Sequence, residues 1–297
     1  MFTTSRWRWL IVVAAVAVVS LPVALLANHS WGSYHWARTS NPFTLKVGNN
    51  MTTADWTSHF NTAIADWDKS TVITFNSVAG TSNKRCSMVS GTVQVCNGKY
   101  GNNGWLGLAT ISITGGTHIT QGSAKMNDTY FTTSTYNNPN EKQHVVCQEI
   151  GHTFGLDHQS TSGADLNTCM DYFSNTGANA TNTDSTHPNA GDYDELLCIY
   201  DPASAGKTLS SPPHSCTGTG HLDSTSTLAS ATNPGPSTHS DVSDDPNTWG
   251  QLVSQSRNGR SSTYERINDD GSMTITHVYW TLEAAARCPS CDHRYQN

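Results

Sequence analysis

The sequence predicts an α+β fold: a twisted mixed sheet with three main helices, followed by a C-terminal extension. Three observations carry this. Within TTADWTSHFNTAIADWDK (52–69), Trp56, Phe60, Ile64 and Trp67 fall on one helical face and need something to pack on. Strand-like runs TVITF (71–75), VQV (93–95) and LGLATISI (106–113) crowd the first half, separated by Gly and Asn. Further helical patterns stand at 141–154 and 190–201, so strands and helices are partly segregated along the chain.

Residues 31–50 read as an extended lead-in, and 118–131 as holding a short edge strand. Gly155 can stop the second helix, because glycine takes backbone angles other residues avoid. A polar loop over 159–188 surrounds NTCMDYF. In the third helix Leu196, Leu197 and Tyr200 would face the core, and Pro202 ends it. The Ser/Thr/Pro-rich stretch 203–250 reads as a linker or surface excursion. Within 251–297, two strand-like runs over 262–281 meet at Asp269-Asp270-Gly271, a hairpin signal. Whether that hairpin joins the main domain or stands apart is open. There is no internal repeat.

Of 297 residues, 36% are hydrophobic and only 13% charged, with net charge −7. The neutral Ser/Thr/Asn/Gly surface suits an extracellular protein, and no Lys/Arg block suggests nucleic acid. Residues 1–27 begin with Arg6 and Arg8 and continue as an apolar run, most simply a secretory signal peptide; retention as an anchor is the alternative. Eight cysteines in an exported chain argue for disulfides. Cys86 and Cys96 flank CSMVSGTVQVC, read as a hairpin, and are paired on that basis. A Cys147–Cys169 bridge would tie the second helix to the loop beneath it. Cys288 and Cys291, in CPSC, form either a disulfide or half of a zinc site. Asn-x-Ser/Thr sequons stand at Asn28, Asn50, Asn127 and Asn179.

The chemistry concentrates in QEIGHTFGLDH (148–158). On a helix, Gln148 and His152 share a face one turn apart and can converge on one metal ion. Glu149 stands one residue further round, placed to act on water beside that metal. A bend at Gly155 lets His158 approach the same ion from another direction.

This stretch resembles the metzincin clan of zinc metallopeptidases, whose signature is HExxHxxGxxH. The clan also has a methionine turn, which TCMDYF (168–173) resembles, with Met170 at its centre. Tyr172 matches the tyrosine two residues after that methionine in the astacin-like and serralysin-like branches. YHWAR (34–38) and NPF (41–43) are similar to exported bacterial matrixin-like proteins, and the resemblance covers roughly 35–202. It implies a metzincin-like catalytic domain over 28–202 and a zinc ion held by His152, His158 and the residue at 148. Glu149 would be the base and acid, and Tyr172 would donate to the oxyanion. The substrate, a peptide or protein, would lie extended along an edge strand within 106–120. Structural calcium also goes with the clan, although no loop here spells a recognised calcium site. A monomer is expected, without stable membrane association once the N-terminal segment is removed. No cysteine precedes residue 86, so latency through an upstream cysteine is not expected.

The departure is Gln148, where the clan has histidine. Three accounts compete: Gln148 ligates weakly through its amide oxygen; His144 replaces it; or the site is dead and the fold is kept as a secreted binding protein. His144 lies two turns from His152, about 12 Å along a helix, so the second account fails on distance. The chain has no GxSxG that would suggest a serine hydrolase.

Overall fold

The computed structural model describes residues 29–81, 85–210, 213–216, 220, 222–227 and 243–295. The expected signal segment 1–27 and the Asn28 sequon lie outside the described residues. The strands are β1 (His35–Trp36), β2 (Phe43–Asn50), β3 (Ile73–Ala79), β4 (Thr92–Gly98), β5 (Trp105–Thr114), β6 (His118–Asn127), β7 (Thr208–Ser210), β8 (Pro213–Ser215), β9 (Gln251–Gln255), β10 (Ser261–Ile267) and β11 (Met273–Trp280). The helices are α1 (Ala54–Trp67), α2 (Asp128–Phe131), α3 (Pro139–His152), α4 (Ala190–Tyr200) and α5 (Leu282–Arg287). The α+β expectation holds, with α1, α3 and α4 as the three long helices among the described residues.

Helix α1 starts where the Thr53 side chain accepts from Trp56 N–H, filling one orphan donor of the first turn. Its buried face is Trp56, Phe60, Ala63, Ile64 and Trp67. Helix α3 starts the same way: Asn138 accepts from Glu141 N–H, with Pro139 in the first turn, where its missing N–H costs nothing. Both helices pack on a nine-stranded mixed sheet in the order β3-β2-β4-β6-β5-β11-β10-β9, with β1 beside β6. β2, β3, β4 and β6 run parallel. β5 then returns antiparallel to β6 across a Gly115-Gly116 turn in which both glycines have positive φ.

Three local expectations are corrected. Cys86–Cys96 is not a hairpin, because β4 pairs with β2 and β6 and the residues before it form a loop. β6 is not a short edge strand but a ten-residue interior one. β5 is not an edge either, because β11 pairs with it antiparallel from Met273↔Ile113 to Trp280↔Trp105. The near-continuous apolar run of β5 reflects this enclosure.

The C-terminal hairpin is thus part of the sheet. Its turn is closed by Asn268 N–H to Ser272 O at 2.8 Å, with Gly271 at positive φ. Successive side chains of β11 point to opposite faces. Ile275 and Tyr279 enter the main core, while Val278 and Trp280 join a second cluster with Trp105, Leu108, Trp249 and Tyr264. Buried Arg260 stacks over Tyr279 at 4.5 Å and lies 3.7 Å from the buried Glu141 carboxylate of α3. Within the expected linker, β7 pairs with β8, and Asp223 accepts from Arg38 N–H at 3.0 Å. Disulfides join Cys86–Cys96, Cys147–Cys169, Cys198–Cys216 and Cys288–Cys291. The last pair therefore offers no thiolate to a metal. The Asn127 sequon is closed to modification, since its amide is buried and bonded to Gly101, Asn103 and Trp105.

Candidate metal centre

α3 ends at His152, and the chain turns at Gly155, whose φ is +98°. A Cβ there would stand 2.5 Å from the Tyr34 carbonyl, so both the angle and the space require glycine. The turn brings the His158 ring to 4.6 Å from that of His152. Each imidazole is held by its Nδ1: His152 donates to Leu156 O at 2.8 Å, and His158 to Asp157 Oδ1 at 3.2 Å. The Nε2 atoms are then left as acceptors, and both are buried without a partner. This is how metal-ligating histidines are oriented.

A third imidazole completes the group. His277, at the middle of β11 opposite Ala109, has its ring 3.8 Å from that of His152 and 4.7 Å from that of His158. Its Nε2 is bonded to Ser261 Oγ on β10, which leaves Nδ1 buried and unpartnered. One nitrogen from each of His152, His158 and His277 lies within 4.8 Å of the others. The sequence offered no sign of His277, since a lone histidine in ITHVYW reads as an ordinary core residue. Gln148 at the motif position leaves room for a replacement ligand, but nothing along the chain says where it comes from.

Glu149 is also fully buried, with Oε2 3.6 Å from His277 Nδ1 and neither oxygen in a well-formed hydrogen bond. Gly107 makes room for it, because a Cβ there would meet Glu149 Oε1 at 2.3 Å. Burial pushes the Glu149 carboxyl well above its usual range. It holds His152 down at about 4 and His158 and His277 well below the usual imidazole value. Without a cation, burial therefore disfavours the charged form of every member of the group, despite a spacing that would suit an ion pair. Three buried imidazole lone pairs beside a buried carboxylate fit a zinc ion, whose charge would offset the carboxylate.

Gln148 is committed differently. Its Nε2 donates to Cys169 O at 2.9 Å and Asp171 O at 2.6 Å, pinning α3 to the methionine turn, and its Oε1 has no hydrogen bond. His144 is buried rather than on the surface. Its Nδ1 donates to Asn175 Oδ1, and its Nε2 lies 3.2 Å from Gln148 Nε2. Met170 packs under the helix, with its sulfur 2.6 Å from where a Cβ on Gly151 would stand. Tyr172 stacks on His158 at 3.9 Å, and burial pushes its hydroxyl well above the usual tyrosine range. Elsewhere, His35, His118 and Asp223 also cluster, but the Arg38 guanidinium 3.8 Å from Asp223 Oδ2 opposes a cation there.

A helix, a glycine turn and a methionine turn that gather imidazoles beside a glutamate define a metalloprotease-type fold. The matrixin family model matches residues 35–187, just over half of the chain, and the chain belongs to that family. Two solved structures of myroilysin are also similar. One is 16% identical and covers 57% of this chain and 96% of that chain, with a TM-score of 0.34. The other is 17% identical and covers 58% and 88%, with a TM-score of 0.33. No curated protein matches.

Proposed function

We propose that the chain is an exported zinc-dependent endopeptidase. The observation that carries this is the pair of orphaned Nε2 atoms on His152 and His158, each fixed through its Nδ1, beside a fully buried glutamate. Zinc, when bound, supplies Lewis acidity toward water and the peptide carbonyl. The rest falls to the protein. Glu149 takes a proton from the attacking water and returns it to the leaving amine. Tyr172, stacked on His158, donates to the oxyanion as charge develops. Gly107 keeps the carboxylate's space clear. The four disulfides support an oxidising, exported setting.

A second reading has its own observation. β11 occupies the β5 edge that an extended peptide would use, and His152, His277 and Glu149 are 0% exposed. A peptide reaches them only if the hairpin yields, so a metal-holding protein without turnover also fits. Zinc removal separates the two. Cleavage of casein should cease with a chelator and return on adding zinc. Cleavage indifferent to chelation contradicts the peptidase proposal, and bound zinc without cleavage supports the second reading.

A further inference from the structure

The family pattern draws all three imidazoles from 148–158, and here that segment supplies two. The structure contains a third from an unexpected source. We propose that His277, delivered by the C-terminal hairpin, is the third imidazole of the metal centre and takes over the duty that residue 148 does not perform. The full set of three imidazoles then exists only when the hairpin is docked on β5. This rests on the reading of His152 and His158 as metal ligands.

The argument begins with the two side chains. A glutamine amide is a neutral oxygen donor and a weaker partner for zinc than imidazole. The Gln148 amide nitrogen is moreover committed to two carbonyls of the methionine turn. His277 offers an imidazole nitrogen instead, within 4.8 Å of those of His152 and His158. Its Nε2 is in hydrogen-bond contact with Ser261 Oγ, and when the Nε2 proton is donated there Nδ1 is the free acceptor. That Nδ1 has no partner although the residue is fully buried, which is costly unless something binds there.

Delivery is equally defined. A strand shifted by one residue turns every side chain to the other face. The register His277↔Ala109 is fixed on both sides of the histidine, by Ile275 and Tyr279 in one core and by Val278 and Trp280 in the other. Arg260 and Tyr279 bind the hairpin to α3 and to the methionine turn, where the Tyr279 hydroxyl donates to Phe173 O. The strand bearing the third ligand is therefore anchored to α3, which carries His152, and to the methionine turn beneath the site.

The test is a zinc titration of the full chain, with zinc alone as probe and circular dichroism as the check on folding. Wild type should bind one zinc. His277→Ala and the bulkier His277→Gln should bind at least tenfold more weakly, by the range usual for losing a metal-site partner. Ser261→Ala, which frees the His277 ring, should weaken binding to a lesser degree. Adding Gln148→His to His277→Ala should restore tight binding, with the imidazole returned to the helix. Equal affinity in wild type and both His277 variants would overturn the proposal, as would a folded Gln148→His/His277→Ala chain that stays metal-free. Zinc binding that depends on His277 without any peptide cleavage supports this ligand exchange while removing the peptidase reading, so the two stand or fall separately.

Discussion

Replacing Glu149 by glutamine should leave zinc content unchanged and lower the rate of casein cleavage by about 10²–10⁴-fold, the usual contribution of a general acid–base group. The substitution keeps the shape of the side chain and removes only its ability to carry a proton. Folding should not suffer. Neither carboxylate oxygen has a well-formed hydrogen bond to lose, and burial already pushes the group toward its neutral form. In the metal-free chain the glutamine variant should therefore melt at the same temperature as wild type or above it. Initial rates over a range of substrate concentrations check the first claim, since the loss should fall on kcat rather than KM. Full activity in the variant would remove Glu149 from the chemistry.

Trp67→Ala should cost about 3–5 kcal/mol, the range for deleting a large buried aromatic. For a chain of this size that lowers Tm by about 6–20 °C. Trp67 is fully buried where α1 meets α3. Its Nε1 donates to Cys147 O at 3.1 Å, and its ring lies edge-on to Phe154 at 5.1 Å. Trp67 and Met170 together fill the space beside Gly151, one residue before His152. The cavity therefore opens directly under the motif helix. Thermal unfolding of the oxidised, metal-free protein measures the effect, and Trp67→Phe should recover part of it. A loss below about 1 kcal/mol would show that α3 does not lean on α1 as described.

What the sequence revealed follows from the range of the interactions involved. The stripe of α1 is legible because one helix face is a local property, and Trp56, Phe60, Ile64 and Trp67 are buried together. The nearness of His152 and His158 follows from six residues and a glycine. β6 was misread because its buried residues do not alternate with exposed ones, so pattern alone could not distinguish an interior strand from a short edge. Pattern alone presents β5 as a free edge, because its partner arrives from the far end of the chain. His277 was invisible for the same reason. Its role comes from sheet pairing with residues near 109, and no spacing along the chain encodes that. The commitment of Gln148 to the carbonyls of Cys169 and Asp171 likewise depends on where the methionine turn packs.

The most direct test of the account is zinc K-edge X-ray absorption on the purified, zinc-loaded full chain. Three imidazole nitrogens at about 2.0–2.1 Å, falling to two in His277→Ala, are the predicted result. A spectrum showing no more than two imidazoles in the wild-type protein would contradict a centre built from His152, His158 and His277.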